Sequence, residues 1–295
     1  MAPRPGVQYF YETEKMLVTS VVRSPDETKA DNFHAMSAPI VFDRKVYAAR
    51  RLRAERRHAD NFLVRHAAEN LSERISAVKR GFGRALDLGS RRQSFELLSR
   101  HADSWIRSGP HRSSRAVELV ADDEFMPFAT YSFDLIVSVL GLHAVNDLPG
   151  ALVQIRRTLA PGGAFLAALF GGATLKELRM ALAFGEGEET AGASPRVAPF
   201  ADVRDMGALL QRAGFTSPVA DVDSLPVRYS SFANLVADLR ALGETNALAQ
   251  RSRRFLRRRV LSAALDSYRQ NDSPGGKLAA TFDILYVTGW APDAG

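Results

Sequence analysis

Hydrophobic and polar residues follow two alternating patterns along most of the chain. Short, fully apolar runs predict strands buried in a parallel sheet. These runs are Arg84–Leu88, Ala116–Val120, Phe133–Val139 and Ala164–Phe170, and a last strand is predicted at Thr281–Thr288. Segments with apolar residues at helical spacing lie between the strands. Strands that alternate with helices predict a doubly wound α/β sheet.

The predicted helices end at recognisable stop signals. Pro161-Gly162-Gly163 follows the helix Leu148–Leu159, and Gly214 follows the helix Val203–Ala213. Further helices are predicted at Leu175–Phe184 and Phe232–Leu242, with a polar loop at 185–193 and strand structure at 217–229. A basic helical stretch runs from Asp43 to about Ile75, with Val46, Leu52, Phe62, Leu63 and Leu71 as its predicted inward residues.

The N-terminal region differs from the rest in composition. Residues 1–39 carry four basic and five acidic side chains and no apolar core, so we predict a disordered extension and Met36 as the natural start. One domain is predicted at 40–290, with a tail at 291–295. The extension resembles neither a signal peptide nor an arginine-rich transit peptide.

Composition narrows the classes of function. The 295 residues include no cysteine, which excludes disulfides, thiolate metal sites and a cysteine nucleophile. No apolar run approaches the roughly 18 residues of a membrane span, and the predicted location is cytoplasmic in a bacterium or the mitochondrial matrix in a eukaryote. The net charge of +6 permits an acidic partner without requiring one.

Several motifs carry candidate chemistry. The first strand ends in Asp87-Leu88-Gly89 within "ALDLGSRRQSF", and later come "DDEFMPF" at 122–128, "SFDLIVSVLGLH" at 132–143 and "LAPGGAF" at 159–165. These resemble successive motifs of class I SAM-dependent methyltransferases. The resemblance implies a Rossmann-like, seven-stranded α/β sheet with a helical cap inserted near 171–205.

A second set of motifs is more specific. It comprises "VFDR", "HAVNDLP", "FGGATLKELR", "SPRVAPF", "LLQRAGF", "LGETNA" and "ATFDILYVTGW". These resemble the malonyl-ACP methyltransferase branch and, within it, the complex I assembly factors that hydroxylate an arginine. The resemblance implies a protein substrate, such as a complex I subunit, and SAM as the cofactor. Methylation, hydroxylation and non-catalytic assembly stay open.

The resemblance also assigns cofactor-binding residues. Asp87 and Gly89 would hold the methionine part of SAM, and Asp122 with Asp123 would meet the adenine; Ser138 lies at the end of the fourth strand. However, Arg91 and Gln93 stand where the family keeps glycines, and no acid between Asp103 and Glu118 is available for the ribose. We therefore predict weak or absent SAM binding.

The candidate catalytic residues are His143, Asp147 and Glu244. His143 is a candidate general base because imidazole titrates near neutral pH, although a single histidine is more often structural. Asp147 and Glu244 are predicted to bind an incoming arginine, because paired carboxylate–guanidinium hydrogen bonds are strong.

Two further features of the sequence are candidate sites. "HAD" occurs at 58–60 and at 101–103, but neither copy lies on a convincing strand and we predict no metal site. Arginine-rich segments occur at 44–57 and 251–259. Such segments are usually solvated helix faces; RNA and acidic proteins are the alternatives, and nucleic acid is the less favoured one because no pattern of stacking aromatics accompanies them.

Overall fold

The computed structural model describes residues 39–57, 60–110, 118–189, 194–271 and 274–293. Its centre is a seven-stranded sheet in the order β3-β2-β1-β4-β5-β7-β6. Strands β1 to β5 are parallel, and β7 pairs antiparallel with both β5 and β6. The strands are β1 Arg84–Leu88, β2 Ser104–Gly109, β3 Leu119–Val120, β4 Phe133–Val139, β5 Leu159–Phe170, β6 Thr216–Tyr229 and β7 Leu278–Trp290. The predicted Rossmann-like fold is confirmed.

The described ranges contain eight α-helices. They are α1 Arg44–Arg56, α2 Phe62–Ser76, α3 Arg92–Leu98, α4 Leu148–Thr158, α5 Lys176–Glu189, α6 Val203–Arg212, α7 Phe232–Leu242 and α8 Arg258–Asn271. Side-chain caps explain where several of them begin, since an oxygen of the residue before the first turn accepts a free backbone N–H. Asp43, Asn61, Asp147, Asp202 and Ser231 cap α1, α2, α4, α6 and α7 in this way.

Helices cover both faces of the sheet. One apolar cluster joins the sheet to α2, α5, α7 and α8, and includes Leu71, Leu178 and Tyr268. The second joins it to α4 and α6, and includes Ile155 and Met206. Both faces of the central strands are therefore buried, which accounts for their continuous apolar sequence. No helix among the described residues is long and apolar enough to cross a membrane.

Four predictions of local structure need correction. The stretch from Asp43 to Ile75 is two helices, because Asn61 caps a new one. The region predicted as loop at 185–193 is helical as far as Glu189; residues 190–193 lie outside the described ranges. Strand β2, which contains Trp105 and Ile106, was missed because polar residues interrupt it. Of the strand predicted at Ala116–Val120, only the last two residues form β3, and residues 116–117 are not described.

The inward faces of α1 and α2 also differ from prediction. Leu63 and Leu71 are buried as expected, but Phe62 is 43% exposed. In α1 the buried residues are Tyr47, Arg51 and Ala54, while Val46 and Leu52 are only partly buried. Helix α1 therefore presents an arginine, not a leucine, to the interior.

A cap of α5 and the chain at 194–200 lies over the carboxyl ends of β4 and β5. Helix α5 packs against α8, where an added Cβ on Gly185 would lie 2.5 Å from the carbonyl oxygen of Val260. Arg179 of α5 donates to the carbonyl of Ala198 at 3.1 Å, and Arg196 donates from Nε to Glu186 at 2.8 Å. These bonds hold the 194–200 segment against the helix.

Candidate functional site

The carboxyl ends of β1, β2 and β4 form a polar cleft. Asp87 is completely buried, and its Oδ2 accepts a 2.6 Å hydrogen bond from Ser90. Its Oδ1 has no hydrogen-bond partner, and the same holds for the hydroxyls of Ser108 and Ser138. Burial raises the pKa of Asp87 to about 7, although Ser90 and Arg51 act in the opposite direction. Three oxygens at this edge are therefore buried without a hydrogen-bond partner in the described part of the chain.

Arg51 of α1 extends into this cleft. Its Nη2 donates to the carbonyl of Gly89 at 2.7 Å, and Gly89 has the positive φ of 74° that a tight turn requires. Its Nη1 would lie 3.7 Å from a Cβ on Gly89 and 3.6 Å from one on Gly141. The space beside the two glycines, where bare backbone lets a ligand approach closely, is occupied by a guanidinium group.

Arg91 closes the cleft from the other side. It donates to the carbonyls of Leu242 at 2.8 Å and Leu140 at 3.2 Å, and lies 3.2 Å from Glu244. Burial and the neighbouring Arg51 lower its pKa to about 10. Gln93 does not contribute to the closure, because its Oε1 accepts from the backbone of Asn61 at the start of α2. Of the two residues expected to obstruct the loop, only Arg91 points inward.

The predicted adenine-binding acids are paired within the protein. Arg44 lies 3.0 Å from Asp122 Oδ1, 3.4 Å from Asp123 Oδ2 and 3.7 Å from Glu124. Burial lowers the pKa of Arg44, but these acids raise it by more, so the pKa lies above its usual value. Asp123 Oδ1 is buried without a partner. The acids are at the expected edge, but α1 supplies their counter-ion.

Glu244 connects the cleft with a second space. Its Oε1 accepts from Tyr47 at 2.9 Å and faces Arg91 at 3.2 Å, while its Oε2 lies 3.1 Å from His143 Nε2. Burial alone would raise the pKa of Glu244, but His143, Arg91 and Arg51 outweigh it and lower the pKa below its usual value. A buried carboxylate is thus kept ionised.

A cavity of about 160 Å³ lies on the far side of Glu244, beneath the cap. Aromatic rings surround His143 there: the ring centres of Phe170 and Phe200 are 4.8 and 5.5 Å from its own. The remaining wall is mostly apolar and includes Phe42, Leu178, Val236, Leu239 and Phe282. Glu244 and His143 therefore lie at one end of a mostly apolar cavity, whose lining also includes Thr174, Arg196, Thr245 and Asn246.

Asp147 does not join this site. Its side chain caps α4 by accepting from the backbone of Gly150 at 2.9 Å, and it does not line the cavity. The structure thus brings together His143 and Glu244 from the catalytic candidates. It places Asp87, Gly89, Asp123 and Ser138 at the edge of the cleft.

The residues in the cleft do not fit SAM in this arrangement. Asp87 is suited to an ammonium group, but SAM also carries a positive sulfonium. Arg51 and Arg91 would place two guanidinium groups beside it, and like charges at close range are unfavourable in a buried site. At the end of β2 the chain reads Ser108-Gly109-Pro110, without an acid for the ribose.

The described ranges contain no cluster of three or more His, Cys, Asp or Glu side chains placed to hold a metal ion. In the second "HAD" motif His101 contacts Ser72 at 2.7 Å. In the first, His58 lies outside the described residues.

Sequence reasoning missed the part of the site that α1 supplies. Tyr47 and Arg51 are four residues apart, and Ala54 follows three later, which is the spacing of one helix face. This signal was present in the sequence. The arginine at the centre of this face obscures the signal, because arginine is rarely fully buried.

The chain is similar to proteins of two named activities. A family described as "Methyltransferase domain" matches residues 100–167. The human "Arginine-hydroxylase NDUFAF5, mitochondrial" is 37% identical over 244 residues, covering 78% of this chain and 70% of the human protein. The "Malonyl-[acyl-carrier protein] O-methyltransferase" of Laribacter hongkongensis is 33% identical over 258 residues, covering 79% and 84%.

A solved structure shows the same fold. The YcgJ protein from Bacillus subtilis superposes with a TM-score of 0.53 and 14% identity, covering 78% of this chain and 99% of that one.

Proposed function

Since the chain belongs to the class I SAM-dependent methyltransferase family, in the group that includes arginine-hydroxylase NDUFAF5 and the malonyl-ACP O-methyltransferases, we propose that it receives an arginine side chain of a protein substrate. The substrate is a subunit of respiratory complex I, and the protein serves the assembly of that complex. The cavity beneath the cap is the arginine-binding site.

The observation that carries this proposal is the ionised Glu244 at the end of an aromatic cavity. A guanidinium group pairs well with a carboxylate and stacks on aromatic faces. Glu244 Oε2 lies 3.1 Å from His143 Nε2, and a carboxylate oxygen can accept a second hydrogen bond. The apolar walls suit the three methylenes of an arginine stem.

The surrounding residues have defined tasks. Tyr47 donates to Glu244 and fixes the orientation of the carboxylate, while His143 holds the other oxygen. Arg91 shares the carboxylate and helps to keep it ionised. An incoming guanidinium would compete with Arg91 for it, so substrate binding and the position of Arg91 are coupled.

SAM-dependent methyl transfer is the second candidate. It is favoured by the unpartnered oxygens of Asp87, Ser108 and Ser138 at the strand ends. Arg51 and Arg91 disfavour it. A malonyl-type substrate is disfavoured as well, because its carboxylate would meet the negative charge of Glu244.

The proposal is tested by deleting the gene and restoring it in variant form. NADH oxidation by membrane-bound complex I should fall in the deletion strain and recover with the wild-type gene but not with Glu244→Gln. Asp147→Asn should restore it, because asparagine also caps a helix well. Mass spectrometry of complex I peptides then distinguishes the gain of an oxygen atom on arginine from that of a methyl group. Normal complex I activity in the deletion strain would refute the proposal.

A further inference from the structure

The outer face of α5 carries large side chains that point away from the protein. Its inner face packs on α8 and contributes Leu178 to the wall of the cavity. On the outer face Met180 is 62% exposed and Phe184 is 51% exposed. Lys176 and Glu188, one helical step before and after this pair, are exposed as well. Side chains four positions apart form one ridge on a helix, and we call this ridge the cap row: Lys176, Met180, Phe184 and Glu188.

The charges at the two ends of the cap row oppose the dipole of their own helix. Lys176 is the first residue of α5, and Glu188 is the last but one. A helix dipole favours negative charge at the N-terminal end and positive charge at the C-terminal end, so both charges have unfavourable positions. Within the described part of the chain, neither side chain has a hydrogen-bonding or charged partner. The described fold therefore leaves both charges uncompensated.

The cap row is complementary to itself when a second copy of the chain runs in the opposite direction. An antiparallel pair that matches Met180 with Phe184 of the second copy also matches Lys176 with its Glu188, because both pairs are centred on Leu182. Each charge then lies at the end of the other helix whose dipole favours it. A two-fold dimer requires this property, since both copies use the same patch and every contact occurs twice.

The neighbouring ridge of α5 leaves room for the large side chains of a second copy. Ala183 and Gly187 lie on this ridge, four positions apart, and both are exposed. Because their side chains are small, a groove runs beside the cap row. Ridges of residues four apart that pack into such grooves form the commonest class of helix contact, with the axes crossing at about 50°. The outer face of α5 thus offers both a ridge and a groove to its own copy.

We propose that the protein forms a two-fold symmetric homodimer in which the cap rows of two copies pack antiparallel. One helical ridge buries less surface than a standard interface, so the dimer has micromolar rather than nanomolar affinity. Both copies bury Met180 and Phe184, and each dimer contains two Lys176–Glu188 ion pairs. Helix α5 also lines the cavity, so the dimer contact restrains the cap that covers it.

Sedimentation velocity of the full chain over a range of concentrations tests the apolar part of the contact. The dimer fraction of the wild type should rise with concentration and give a Kd. Phe184→Ala removes a central side chain from both copies and should raise this Kd roughly 100-fold. Phe125→Ala is the matched control, because it removes a phenylalanine that is 67% exposed but lies outside α5. It should leave the Kd unchanged.

Charge reversal tests the pairing of the two ends. Lys176→Glu or Glu188→Lys alone places like charges opposite each other at two symmetric contacts and should raise the Kd about tenfold. An equimolar mixture of these two variants should associate more tightly than either alone, because the mixed dimer again places opposite charges face to face. Lys277→Glu and Glu69→Lys reverse exposed charges on other parts of the surface, and neither should change the Kd.

Cross-linking locates the contact directly. The chain contains no cysteine, so an introduced cysteine is its single thiol. Ala183→Cys lies beside the centre of the proposed pairing, and a short bismaleimide should link two copies through it. Gln211→Cys is exposed on α6, which covers the other face of the sheet, and should not be linked under the same conditions.

Two outcomes would overturn the proposal. One is a wild type that stays monomeric at its highest soluble concentration, which would assign the cap row to a different partner. The other is a dimer whose Kd is unchanged by Phe184→Ala and by both charge reversals, since such a dimer uses another surface. All substituted side chains are exposed, so melting temperatures close to that of the wild type should show that lost association is not unfolding.

Discussion

Replacing Glu244 with alanine should destabilise the protein far more than an equivalent change at the surface. Glu244 and Arg91 have side chains that are 12% and 7% exposed, and the carboxylate also contacts Tyr47 and His143. Removing one partner of a buried pair costs about 3–5 kcal/mol, because the other charge stays buried without compensation. For a domain of this size, about 1 kcal/mol shifts the melting temperature by roughly 2–4 °C. The expected loss is therefore on the order of 6–20 °C.

Asp221 provides the matched control. It forms a bidentate pair with Arg74, at 2.7 and 2.8 Å, but the two side chains are 43% and 32% exposed. Exposed pairs contribute no more than about 1 kcal/mol, so Asp221→Ala should shift the melting temperature by a few degrees at most. Calorimetry at neutral pH measures both variants.

Similar losses from the two substitutions would refute this account of the buried network. The result also bears on functional tests. Glutamine is a better substitution than alanine at Glu244 in those tests, because it keeps an oxygen acceptor and the side-chain volume.

Three further predictions follow from buried or closely packed groups. The folded-state pKa of Asp87, about 7, lies above the unfolded value, so its ionisation reduces the stability of the fold as the pH rises from about 4 through 7. Asp87→Asn should therefore raise the free energy of unfolding at pH 8, by about 1.4 kcal/mol for each pH unit between the two pKa values, and change it little at pH 4. Urea denaturation at both pH values measures this difference. Gly185→Ala should lower the free energy of unfolding by about 1–3 kcal/mol in the same assay, because the added Cβ would collide with α8. Gly187→Ala should raise it by up to about 1 kcal/mol, because nothing lies within 4 Å of the added Cβ and alanine favours the helix. Equal effects of the two substitutions would contradict this packing. Calorimetry should detect no micromolar binding of SAM to the wild type, and Arg91→Gly should increase the affinity; tight wild-type binding would show that the arginines move aside.

The sequence predicted the sheet well, because its central strands are apolar on both faces. Strands β1 and β4 and helix α7 have the predicted bounds. Strand β2 escaped detection because Ser104, Arg107 and Ser108 break its apolar run, and parallel pairing with β1 compensates for this only in the folded chain. Periodicity identifies local patterns, and it does not report such long-range pairing.

The site was predicted less completely, for a related reason. Motifs identified Asp87 and His143, since Asp87 lies near the end of β1 and His143 lies in the short helical turn that follows β4. The burial of Arg51 depends on the carbonyl of Gly89, 38 positions away, and that of Arg91 on Glu244, 153 positions away. A charged residue is recognised as buried only when its partners are known, and these partners are brought together by the fold.

Helix α1 has a consequence for the timescale on which the cleft can open. Its buried face is small, and it is held by the ion pairs of Arg44 and the hydrogen bonds of Tyr47 and Arg51. Segments with few apolar contacts open at lower free energy than a sheet core. We infer that α1 detaches as a unit while the sheet stays folded, so that its amide protons exchange with deuterium sooner than those of β4. Entry of any ligand into the cleft would then be limited by the rate at which this helix leaves it.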